Sequence, residues 1–108
     1  MNSSEFRLDP RLDKDTHFLL DAPLCQIGLM DDARFPWLIL VPRVPNVREW
    51  PDLTTEHQLQ LQAEINAAAR ALQSAFPHGQ KLNIAALGNV VPQLHIHVIL
   101  RHPGDAAW

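Results

Sequence analysis

Only one stretch of the 108-residue chain repeats its apolar residues at steps of three and four, and that restricts the possible folds more than any other feature. Leu61, Ile65, Ala68, Leu72 and Phe76 form this stripe, while Gln60, Gln62, Glu64, Asn66 and Gln73 fall mostly on other faces, the pattern of an amphipathic helix. Thr54 is placed to cap its start, with Glu56 in the first turn where a negative charge suits the helix dipole. Pro77 stops it, and Gly79 is expected as its C-cap. Every other apolar run is short. "THFLLDAPL", "CQIGLMDD", "WLILV" between Pro36 and Pro42, "LNIAAL" and "PQLHIHVILR" all have strand length and strand composition. With strands before and after one helix, the alternation that a parallel doubly wound sheet needs is missing. An α+β domain is expected, a mostly antiparallel sheet of about five strands covered by one long helix.

Size and charge narrow the function. An apolar content of 46% supports one core in a chain of this length. Nine basic against twelve acidic residues leave a net charge of −3, which argues against a sequence-independent grip on a nucleic acid polymer. Cys25 is the single cysteine and is expected to be a buried thiol. No signal-like or membrane-length apolar run is seen, so a cytoplasmic setting is expected. Residues 1–16, including "EFRLDPRLDKD", are charged and proline-punctuated and read as a surface arm or irregular lead-in. Residues 17–108 then form the domain.

The chemistry concentrates in "NVVPQLHIHVIL", Asn89 to Leu100. Along a strand, Leu94, Ile96, Val98 and Leu100 would share one face, and Gln93, His95, His97, Ile99 and Arg101 the other. The aliphatic row is expected to seal the core against the helix. The polar row admits four readings: a wet sheet face, a two-imidazole metal site, a nucleophilic histidine, or a ligand site without chemistry. A third metal ligand is not evident, because His17, His57, His78 and His102 lie in unrelated contexts.

"QLHIHVIL" resembles the signature of the histidine triad superfamily, His-φ-His-φ-His-φ-φ with φ apolar, in a version whose first histidine is Gln93. "GNVVPQ" is similar to the superfamily's Gly-Gln-Ser/Thr turn, and "WLILVPRVPNVREWPDL" to its central strand, proline and loop. "ALGNVVPQLHIHVI" in particular resembles a bacterial subgroup with the glutamine version.

The resemblance implies a homodimer whose sheets join edge to edge, with a site for a purine nucleotide or its conjugate. It implies that His95 attacks an α-phosphorus to give a nucleotidyl-histidine that water resolves, with no metal and no cofactor. His97 would help organise the phosphate, and Gly88 would bring backbone N–H groups near it. By the same resemblance Asn83, Asn89 and Asp31 fall at polar positions near phosphate or ribose. Trp37 stands where many members have a supporting histidine, and Val90 where a hydroxyl often meets the leaving group. Gln93 cannot carry a proton, so the expected outcome is a slow or specialised hydrolase of a dinucleoside polyphosphate or nucleoside phosphoramidate. The alternative is a nucleotide-sensing or interaction module. "FPHGQ" resembles the His-Pro-His-Gly-Gln of the related galactose-1-phosphate uridylyltransferases, but its first residue is Phe76, and a helix stop explains it better. Trp108 reads as a tail stump or an aromatic contact.

Overall fold

The computed structural model describes residues 5–107; the expectation for Trp108 lies outside them. The elements are α1 (Pro10–Asp15), β1 (Thr16–Asp21), β2 (Cys25–Met30), β3 (Trp37–Pro42), a short 3-10 turn (Trp50–Asp52), α2 (Thr55–Ala75), β4 (Lys81–Leu87) and β5 (His95–Arg101). The five strands form one sheet in the order β1-β2-β3-β5-β4, with every neighbouring pair antiparallel. The expected α+β class and the single covering helix are both present. No described helix is long and apolar enough to cross a membrane.

The main core lies between α2 and one sheet face. Leu61, Ile65, Ala68 and Leu72 pack against Leu38, Leu40, Ile96, Val98 and Leu100, all buried. The aliphatic row of β5 therefore meets the helix as its alternation requires. A second, smaller cluster of Leu12, Ile39 and Val41 lies apart from it, with Phe6, Leu8, Met30, Trp37 and Val91 packed against it. Ile39 pairs with His97 across β3 and β5, so this cluster is on the histidine face.

Several expectations need correction. The lead-in is not irregular throughout: Asp9 caps α1 by accepting from the Arg11 N–H, Pro10 fills a first-turn position, and Leu12 is buried. The signal was present in "DPRLDKD", an acidic cap followed by proline. Glu64 is 6% exposed rather than on a polar face. Its carboxylate accepts from the Leu24 and Cys25 backbone N–H groups at 2.8 and 2.7 Å, fixing the start of β2 to α2. Phe76 does not close the buried stripe; it is the helix C-cap and stays exposed. Gly79 is thus not the C-cap, and a Cβ there would meet the buried Leu100 side chain at 2.2 Å. Its lack of a side chain lets the turn after α2 close over β5.

Candidate functional site

β5 begins at His95, so Gln93 and Leu94 precede the strand instead of extending it. Gln93 still governs the first histidine through its main chain. The His95 Nδ1 lies 2.7 Å from the Gln93 carbonyl oxygen, which can only accept, so Nδ1 carries the proton and Nε2 keeps a free lone pair. His95 is only 5% exposed, which rules out the wet-face reading for this residue.

His97 follows on the same face, with its ring centroid 5.0 Å from that of His95. Its Nδ1 accepts from the Trp37 indole N–H at 3.1 Å, and the two rings are tilted against each other at 5.7 Å. Indole nitrogen only donates, so neutral His97 must carry its proton on Nε2. Burial, and secondly the charge of His95, push the His97 pKa down to about 4. Trp37 adds to this, because protonating Nδ1 would break the indole bond.

His97 in the unfolded chain titrates near 6.5 and in the folded chain near 4, so between these values the unfolded chain binds more protons. Acidification from about 6.5 to about 4 should therefore cost stability through this residue, with no further loss below. Trp37→Phe keeps the aromatic contact and removes the N–H. Its expected result is a His97 pKa roughly one unit higher, read by NMR titration of the imidazole; an unmoved pKa would show that burial alone sets it.

The remaining expected positions divide. Gly88 belongs with the histidines: a Cβ there would stand 3.7 Å from His95 Cε1 and 2.8 Å from the Val91 carbonyl oxygen, so the turn packs closely beside the first imidazole. Asn83, on β4 opposite Ile99, shares the histidine face, but its Oδ1 accepts from Arg101 at 3.2 Å. Asn89 and Val90 are exposed in the turn, Val90 at 77%. Asp31 is not brought to His95. It follows β2 at the end of the sheet where Trp37 pairs with Ile99, and four β-residues separate His95 from Ile99, roughly 13 Å. There it pairs with His17 at 3.2 Å.

Two clefts adjoin these residues. The larger, about 630 Å³, is lined by His17, Asp31, Arg34, Phe35, Phe76 and His102 among others, and neither His95 nor His97 reaches it. The smaller, about 440 Å³, runs between Glu5 and Arg7 on one side and Pro45–Arg48 on the other, with Pro92 and Gln93 also lining it. Chemistry, rather than size, selects the histidine face. Among the described residues no three His, Cys, Asp or Glu side chains come together in a way that would hold a metal ion.

The residues that sequence reasoning missed are in the arm. The Asp9 N–H donates to Gln93 Oε1 at 2.8 Å, Gln93 Nε2 donates to the Arg7 carbonyl at 2.8 Å, and Arg11 donates to the Val90 carbonyl at 3.0 Å. No local pattern announces contacts across more than seventy residues of chain.

A family model described as "HIT domain" matches residues 11–104. The fold superposes on a histidine triad protein from Bradyrhizobium japonicum with a TM-score of 0.93 at 49% identity, covering 96% of this chain and 77% of that one. A histidine triad protein from Sinorhizobium meliloti gives 0.93 at 47% identity, covering 95% and 76%. One from Marinobacter aquaeolei gives 0.93 at 48%, covering 96% and 75%. No curated protein matches.

Proposed function

Since the chain belongs to the histidine triad (HIT) family, we propose that it hydrolyses a purine nucleotide conjugate at the α-phosphate, with His95 as nucleophile. The observation that carries this is the Nδ1 bond from His95 to the Gln93 carbonyl, which in the neutral imidazole places the proton on Nδ1 and leaves the Nε2 lone pair free to attack. Nε2 forms a bond to the α-phosphorus while the bond from phosphorus to the leaving group breaks, its electron pair departing with that group. Water then attacks the nucleotidyl-histidine, the P–N bond breaks with its pair returning to Nε2, and nucleoside monophosphate leaves with a proton released to solvent. His97, neutral and with its proton on Nε2, serves as a hydrogen-bond donor to a nonbridging oxygen.

Among the described residues of the histidine face no proton donor stands ready for the leaving group. Gln93 has none to give, Val90 has no hydroxyl, and His97 holds its proton as a neutral imidazole. A leaving group that departs as a stable anion is therefore favoured, such as the polyphosphate arm of a dinucleoside polyphosphate; a phosphoramidate amine needs protonation. The same shortage supports the second reading, a nucleotide binder that turns over slowly.

A homodimer through β4 belongs to this proposal. β4 is an edge strand, and Ile84 and Leu87 on it are 46% and 65% exposed, a surface that edge pairing would cover. A cytoplasmic setting fits Cys25, which is buried and unpaired, its thiol pushed well above the usual range by burial and then by the Glu64 charge.

The test is to incubate the protein with α-labelled diadenosine polyphosphate or adenosine phosphoramidate, quench with denaturant at alkaline pH, and weigh the intact protein. An acid-labile nucleotidyl adduct, formed faster from the polyphosphate, is expected. Nucleotide binding with neither adduct nor product would leave the binding module in place of the hydrolase.

A further inference from the structure

Both ends of the Gln93 amide are engaged by the N-terminal arm. Its amide accepts from the Asp9 N–H and donates to the Arg7 carbonyl, each at 2.8 Å. In a parallel ladder one residue's N–H and C=O bond to a carbonyl and an N–H two residues apart on the neighbouring strand, so the Gln93 amide stands in for the main-chain N–H and C=O of one such residue. Three other contacts hold the same segment. Arg11 reaches the Val90 carbonyl, and the Asp9 carboxylate grips the Arg11 guanidinium at 3.0 and 2.9 Å. Phe6, Leu8 and Leu12 pack with Ile39, Val41, Trp37 and Val91 on the histidine face.

We propose that Gln93 is a positioning residue: its amide docks Arg7–Asp9 as a strap over the histidine strand, and the docked strap forms one wall of the nucleotide site. The strap borders the histidines through its apolar side: Phe6, Leu8 and Leu12 cluster with Trp37, the donor to His97, and with Ile39, its strand partner, while Gln93 and Arg7 also line the smaller cleft, which neither His95 nor His97 reaches. This rests on the reading of the histidine face as a nucleotide site. It also gives the glutamine a reason. The two nitrogens of an imidazole diverge, whereas an amide presents its oxygen and nitrogen from one planar end. A histidine at position 93 would complete the triad pattern and lose one of the two strap bonds. The same residue supplies the carbonyl that orients His95, so strap and nucleophile share one support.

The experiment compares the whole protein with Gln93→Leu and Gln93→His, reading hydrogen exchange by NMR together with kcat and KM on diadenosine polyphosphate. In Gln93→Leu, which loses both strap bonds, the Asp9 amide should exchange at least about tenfold faster while the Ile96 and Leu40 amides keep their protection. KM should rise about fivefold or more with kcat within about twofold, because the wall is lost and the nucleophile is not. Unchanged Asp9 exchange, or faster Asp9 exchange with unchanged KM, overturns the proposal. So does a gain in kcat/KM for Gln93→His, which would make position 93 a site for proton transfer. A wild-type protein that binds no nucleotide overturns the site reading and the wall with it. That outcome is distinct from a strap failure, in which the wild type binds and turns over nucleotide but Gln93→Leu matches it in KM and Asp9 exchange.

Discussion

Replacing His95 with alanine is expected to abolish the nucleotidyl adduct and to lower kcat/KM by about three orders of magnitude or more. The size follows from the role. A nucleophile cannot be replaced in part, and no other imidazole on this face presents an unprotonated nitrogen beside Gly88: the free lone pair of His97 is spent on the Trp37 indole. Nucleotide affinity should change only a few-fold, since the strap, the turn at Gly88 and the His97 donor remain. Single-turnover kinetics beside equilibrium binding separates the two quantities. Residual turnover within tenfold of wild type would assign the attack to another group or to water. His97→Ala should cost less in adduct formation, because it removes a donor to the phosphate and leaves the attacking nitrogen in place.

The largest effect on stability is expected from Glu64→Ala, a loss of about 3–4 kcal/mol. Its carboxylate takes the N–H groups of Leu24 and Cys25 and the Gln60 amide, the last at 2.6 Å. Alanine leaves two buried N–H donors unpaired, each costing about 1–3 kcal/mol, and removes charge-assisted bonds. Glu64→Gln keeps one acceptor and turns an N–H₂ toward a backbone donor, so roughly half the loss is expected. Denaturant titration of both variants measures this, and a loss under about 1 kcal/mol for Glu64→Ala would mean that water replaces the carboxylate. The pH dependence has a defined sign. Burial alone would raise the Glu64 pKa, but the bonds from Gln60 and from the Cys25 and Leu24 amides outweigh it and hold the carboxyl below its usual 4.5. Its contribution is therefore present above pH 4.5 and lost as pH falls through the folded-state value, and the alanine variant should lack this acid-side decline.

The helix, the five strands and the row of aliphatic residues on β5 were legible because they are local patterns. A period of 3.6 or 2 in apolar residues is set by backbone geometry, and burial of one face follows from it. The His95 and His97 pair was legible for the same reason, as was the family through "QLHIHVIL". Glu64 was misplaced because an acidic residue on a helix is usually solvated, and only the approach of the Leu24–Cys25 backbone to α2 makes burial favourable. Gly79 was read as a helix cap because sequence shows a glycine after a helix but not the Leu100 side chain above it.

What the sequence determined by itself is the architecture and the histidine strand, since both follow from alternation within single segments. What only the tertiary structure decided is how each polar group is used. Trp37 holds His97 in one tautomer, the Gln93 carbonyl does the same for His95, and the Gln93 side chain serves the arm. These roles depend on hydrogen bonds between residues 60 or more positions apart, or on which way a side chain turns at a strand end. The long-range bonds need the closed sheet to bring their partners together, and those partners leave no periodic trace in the chain.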